Sequence, residues 1–134
     1  MTYDAQRIAI QNHFETEWAG TYPDVPIAFD NVKLPRPDNG YVHLKILNGA
    51  SILKGLGLDK LYRYSGVISV DIYYPEKKGI KQVDLFADSI DDIFRGQQIG
   101  DVVCRAASRN DLGTWQNYWR TNISVPFFRN KISA

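Results

Sequence analysis

Apolar and polar residues alternate along this chain with two different periods, and each change of period marks the boundary of an element. Over residues 4–18, Ile10, Phe14 and Trp18 recur at intervals of four with Arg7, Gln11 and Glu15 between them, which is the spacing of an amphipathic helix. Gly20 and the following Thr-Tyr-Pro are expected to end it, because Gly accepts a left-handed C-terminal conformation and Pro cannot continue a helix. A short strand is expected at 27–29. Residues 32–40 hold Pro35, Pro37, Asp38, Asn39 and Gly40, the chemistry of a loop. Period two begins at 41–47, where Val42, Leu44 and Ile46 take one face and His43 and Lys45 the other, as in a half-buried strand.

From 48 to 60 the alternation lapses, and Gly49, Gly55 and Gly57 separate Ile52, Leu53, Leu56 and Leu58, so a mobile apolar loop is predicted. Residues 62–74 then give the longest strand signal before the second helix. Tyr64, Ile68, Val70 and Ile72 lie on one side, Arg63, Ser65, Ser69 and Asp71 on the other, and Pro75 ends the run. Helical spacing returns over 78–95, where Val83, Phe86, Ala87, Ile90, Ile93 and Phe94 make one stripe and Asp84, Asp88, Asp91 and Asp92 lie mostly outside it. Gly96 closes that helix. Strands at 101–109 and 116–128 complete the chain, with a turn expected at Gly113.

Helix, strands, helix, strands, with one-sided strands, predicts a single α+β domain over residues 1–134: an antiparallel or mixed β-sheet with two helices packed on it. No repeat divides the chain. Thirteen residues from Tyr62 to Tyr74 would extend for roughly 43 Å at about 3.3 Å each. A domain of this length has a radius of gyration of about 14 Å and a diameter of roughly 36 Å, so the strand must either bend at Gly66 or leave the body as an arm. Bending is the preferred reading, since strand glycines commonly mark bulges and bends.

Composition changes this picture little. The chain has 134 residues, 44% hydrophobic and 23% charged, within the range of one ordinary globular domain. No export leader is read in the polar stretch after Met1, and no apolar run approaches the roughly 18–20 residues that span a bilayer, so a soluble protein without a membrane partner is expected. Sixteen basic and 15 acidic residues leave a formal charge of +1, which predicts no large single-sign field for nucleic acid. Cys104 is the single cysteine, so no intramolecular disulfide can form, and a buried small hydrophobe is expected there.

Candidate chemistry is sparse. The run 49–58 has neither phosphate-loop nor dinucleotide spacing, Ser51 lacks a nucleophile elbow, and Cys104 has no recognisable activating base. His13 and His43 are placed on polar faces of a helix and a strand without metal-ligand spacing. Asp88, Asp91 and Asp92 read as a solvated helix face. No catalytic, cofactor or metal residues are therefore assigned. The aliphatic residues of the apolar loop are different, because exposed aliphatic side chains favour a partner that covers them. Ile52, Leu53, Leu56 and Leu58, with Tyr62 and Tyr73 on the long strand, are the candidate subunit-interface residues.

Several stretches, in their order and spacing, resemble the phage tail terminator-like family, akin to the lambda-type minor tail protein U. They are His13-Phe-Glu-Thr-Glu-Trp-Ala, Pro26-Ile-Ala-Phe-Asp-Asn-Val, the strand 62–75, Ala87-Asp-Ser-Ile-Asp-Asp-Ile-Phe-Arg-Gly and Asn122-Ile-Ser-Val-Pro-Phe-Phe-Arg. The resemblance covers nearly the whole chain and contains no catalytic signature. It implies a structural subunit of the virion tail, assembled in the host cytoplasm. Copies would close into a ring, of six subunits, on the tail tube, halting polymerisation and presenting a surface to the head. The partners it implies are the chain itself, the major tail tube protein and the head-tail connector protein. No sequence-specific nucleic acid is expected, with DNA free to pass through the ring. A head-completion or connector subunit, and a small nucleic-acid-binding module, are the alternatives.

Overall fold

The computed structural model describes residues 1–32, 40–55, 57 and 60–133, apart from the side chain of Ser133. The loop expected over 32–40 lies almost wholly outside the described residues.

Thr2 starts the first helix, α1 (Tyr3–Thr21), by accepting the Ala5 N–H on its hydroxyl at 3.1 Å. The helix ends at Thr21, inside the Gly20-Thr-Tyr-Pro stretch expected to stop it. Its last turn closes when the Tyr22 N–H donates to the Trp18 carbonyl at 2.7 Å, and Pro23 then prevents a further turn. Strands β1 (Ile27–Phe29), β2 (Tyr41–Gly55) and β3 (Lys60–Pro75) come next, followed by the second helix, α2 (Lys81–Phe94). Strands β4 (Gln98–Ile99), β5 (Val102–Cys104), β6 (Ser108–Trp115) and β7 (Tyr118–Ser133) finish the chain. The sheet order is β1-β2-β3-β7-β5-β4, with β6 also paired to β7. Among the described residues only β1 and β2 run parallel, so this is a mixed sheet carrying two helices, the α+β class that the sequence predicts.

Three expectations about the strands are corrected. Residues 48–55 are not a loop: β2 continues through them, paired to β3 from Asn48↔Gly66 to Gly55↔Leu61. The alternation lapses because β2 carries two bulges, one between Asn48 and Ser51 and one between Leu53 and Gly55, and each extra residue flips the side-chain phase. The strand expected at 101–109 is two strands on one edge of β7: β5 pairs with residues 127–128 and β6 with residues 118–124. Gly113 is inside β6, at a bulge next to Asp111, and not in the turn. The turn is Gln116-Asn117, whose positive φ values of 46° and 71° match the two-residue hairpin turn that suits strand twist.

The core follows from the predicted stripes. Ile10, Phe14 and Trp18 of α1, and Phe86, Ile90 and Phe94 of α2, pack on Val42, Leu44, Ile68, Val70, Ile72, Ile123, Val125 and Phe127 of the sheet. Phe14 stacks between Trp18 and Phe94, with ring centroids 5.5 and 5.6 Å away. His13 does not face solvent: its Nε2 donates to the Ile93 carbonyl at 2.8 Å and ties the helices together. Cys104 is buried as expected, and burial pushes its thiol pKa up to about 11.

Gly66 sits where β3 crosses from the body towards the arm. A Cβ there would lie 2.7 Å from the Leu47 carbonyl oxygen and 2.7 Å from the Phe127 ring, so only glycine leaves room for that ring to fill the core. The register of β3 with β7 passes through Gly66 unbroken, and the irregularity falls on the neighbouring β2 bulge.

Candidate subunit interface

Along β2, β3 and β7 the helices cover only part of the sheet. Every residue of β2 from 47 to 54 is exposed, although the strand is fully paired on one side, so this end projects beyond the helix layer. The projection is a three-stranded arm made of residues 47–55, 60–65 and 128–133, with β3 in the middle. Both outer edges are open among the described residues: β1 pairs with β2 only as far as Leu44, and β5 pairs with β7 only at Phe127 and Phe128. Open strand edges of this length are templates for another chain.

The base of the arm is fixed to α1. Arg129 is buried, donates from Nε to Gln6 Oε1 and from Nη1 to the Met1 carbonyl at 2.8 Å, and lies 5.1 and 4.2 Å from the ring centroids of Tyr3 and Tyr64. Gln6 in turn donates to Asn48 Oδ1 at 2.9 Å. These bonds and ring contacts compensate part of the cost of burying a guanidinium and an amide.

Beyond that base the arm is apolar and basic. Ile52 is 50% exposed, Leu53 46%, Leu47 53% and Ile132 69%. Within residues 46–55, 60–67 and 126–133 the charged residues are Lys54, Lys60, Arg63, Arg129 and Lys131, with no Asp or Glu. The helices show the reverse. Seven acids (Asp4, Glu15, Glu17, Asp84, Asp88, Asp91 and Asp92) face two bases, Arg7 and Lys81. The near-neutral total therefore conceals an uneven distribution of charge between arm and helices.

Of the predicted interface residues, the structure brings Ile52, Leu53 and Tyr62 together on the arm, where Leu53 pairs with Tyr62 across β2 and β3. Leu56 and Leu58 lie outside the described residues. Tyr73 lies away from the arm: it is 9% exposed, stacked on Tyr41 at 4.6 Å and edge-on to Tyr118 at 6.0 Å. Its burial comes from the far face of the sheet body, where bulky rings shield one another without a helix. Sequence reading missed Leu47, Ile132 and the lysines. Strand 116–128 was expected to stop at Phe128, and only the pairing of Lys60↔Ser133 through Arg129↔Tyr64 carries it on.

The far face also holds polar contacts that keep the body rigid. Asp71, 6% exposed, accepts from Lys45 Nζ at 2.9 Å and Asn122 Nδ2 at 2.7 Å, and the Lys45 ammonium pKa is raised, chiefly by that hydrogen bond. On the helix side, Arg109 bridges Asp84 of α2 at 2.6 Å and Asp111 of β6 at 3.0 Å. The Asp111 carboxyl is held below its ordinary range, first by the Thr121 hydroxyl and then by Arg109. Among the described residues no group of three or more His, Cys, Asp or Glu side chains could hold a metal ion, and no helix is long and apolar enough to cross a membrane.

Comparison with known proteins gives one family. The sequence matches the family described as phage tail terminator protein over residues 7–127. Among 17 matching chains of solved structures, one that carries no descriptive name superposes with a TM-score of 0.76 at 21% identity, covering 100% of this chain and 99% of that one. At that identity the likeness establishes the fold. No curated protein matches the chain.

Proposed function

The chain belongs to the phage tail terminator family, a structural component of the virion tail, and from this premise we propose that its copies close into a ring, of six subunits, that caps the tail tube. The ring stops tube polymerisation and offers its other surface for head-tail joining. Its partners are further copies of the chain, the major tail tube protein and the head-tail connector protein, assembly takes place in the host cytoplasm, and DNA passes through the central hole.

The observation that carries this reading is the arm. A cyclic ring needs two unlike surfaces on each subunit, so that one meets the other on the next copy. The arm and the helix layer are unlike in shape and opposite in charge. The arm also presents open edges and uncovered Leu47, Ile52, Leu53 and Ile132, features that cost solubility in a lone subunit and that closure would remove. A nucleic-acid-binding module is favoured by one observation, the basic character of the arm, but phosphates do not cover aliphatic side chains. A head-completion or connector subunit shares the same surface physics.

Electron microscopy of the purified protein, together with tail measurements on phages lacking the gene product, tests the reading. Rings with a central hole, and tails of irregular length in its absence, are the expected results. A discrete two-fold dimer, or null phages with tails of normal uniform length, would overturn it.

A further inference from the structure

The ring reading leaves open which surface of the neighbour receives the arm, and charge and apolar spacing on this chain answer that. We propose that the arm of one copy seats on the outward face of α2 of the next copy, Lys54 and Lys60 lying against Asp88 and Asp92 while Leu53 covers Leu85. This contact rests on the ring reading and adds the identity of both halves of the interface.

On the arm side, Lys54, Lys60 and Lys131 make no ion pair with any described residue of their own chain, and Lys60 and Lys131 share a face with the exposed Leu53, which pairs with Tyr62. On the receiving side, Leu85, Asp88 and Asp92 follow one another at three- and four-residue spacing and so share one stripe of α2. Leu85 is 43% exposed on a helix whose other apolar residues are mostly buried, and Ile80, just before the helix, is 42% exposed. Asp88 has no ion-pair partner among the described residues, whereas Asp91 and Asp92 share Arg95. An apolar and acidic stripe thus faces outward on one side of the subunit, and an apolar and basic arm projects from another. The α1 helix is the poorer receiver, because its acids without an ion pair among the described residues, Glu15 and Glu17, are at least seven positions from the exposed Tyr3 and Ile8, whereas Asp88 is three from Leu85. A nucleic acid would pair with the lysines but leave both sets of aliphatic residues, and the whole acidic stripe, uncovered.

Reciprocal charge reversal tests the pairing with the full-length chain. Lys54→Glu/Lys60→Glu makes the arm acidic; Asp88→Lys/Asp92→Lys makes the α2 stripe basic. All four positions are exposed, or in the case of Asp92 71% exposed at the side chain, so both variants should fold, which circular dichroism melting checks. Each variant alone meets like charge in its own neighbour and should associate at least about tenfold more weakly than the original chain, as measured by analytical ultracentrifugation. Mixed in equal amounts, the two should assemble again, because arm and stripe are then of opposite sign at every contact. Weakened single variants that do not recover on mixing would overturn the pairing, and so would single variants that assemble normally. Loss of binding to a mixed-sequence DNA duplex by the arm variant, with assembly unchanged, would assign the arm to nucleic acid instead. If the original chain assembles into rings while the mixture fails, the contact alone is wrong; if it stays monomeric at all concentrations, the ring reading falls with it.

Discussion

Strand β3 can be read as two halves that obey the same pairing rules and meet different fates. From Ile68 to Tyr73 every residue is buried, the even positions beneath α1 and α2, the odd ones in the Tyr41-Tyr73-Tyr118 cluster or the Asp71 network. From Lys60 to Gly66 none is fully buried, although β7 flanks it without a break and β2 pairs with it through two bulges. Backbone pairing therefore does not distinguish body from arm. What distinguishes them is the second layer: packed side chains above and below the body, and none over most of the arm. Hydrophobic burial contributes roughly 1.5–3 kcal/mol for each large side chain fully covered, so stability concentrates in the body. The arm leaves much of its apolar surface uncovered.

The largest expected effect lies in the body. Phe14→Ala removes a ring that is fully buried between Trp18 and Phe94 and should cost about 3–5 kcal/mol, read as a lower denaturant midpoint at unchanged slope. A cost below about 1 kcal/mol would break the contrast between the two halves. At the junction, Gly66→Ala should cost about 1–3 kcal/mol, since the added methyl meets the Leu47 carbonyl and the Phe127 ring, and the body must yield at its edge. Hydrogen exchange should show the loosening spreading from Phe127 into β7. In the arm, Ile52→Ser/Leu53→Ser should change monomer stability by no more than about 0.5 kcal/mol, as thermal unfolding would show, because both side chains are already half-exposed. The same pair should abolish higher assembly in sedimentation, so the smallest change in stability would accompany the largest change in association. Normal assembly by that variant would remove the arm from the interface.

Much of the body was legible in advance. Ile10, Phe14 and Trp18, and the α2 stripe, are buried where helical spacing put them, and Val42, Leu44, Ile68, Val70 and Ile72 line the inner face as alternation required. The arm was legible in its chemistry but not in its form. Ile52 and Leu53 were picked out as uncovered aliphatic residues, yet the segment was expected to be a loop, because two bulges shift the alternation by one residue each and erase its period. The end of β7 was missed for a different reason: Arg129 is buried in the middle of it, and no local pattern announces a guanidinium paired with Gln6 from the other end of the chain.

The residues themselves determined the class of fold, the two helices, the inner strand faces and the presence of uncovered aliphatic side chains, since each depends on a period or composition read over a few neighbours. Tertiary structure alone decided that Tyr73 is enclosed while Leu47 and Ile132 are bare, and that near-neutral charge is split between a basic arm and acidic helices. Those outcomes depend on which strands lie side by side and where the helix layer stops, and both are set by contacts between residues up to more than a hundred positions apart, such as Gln6 and Arg129.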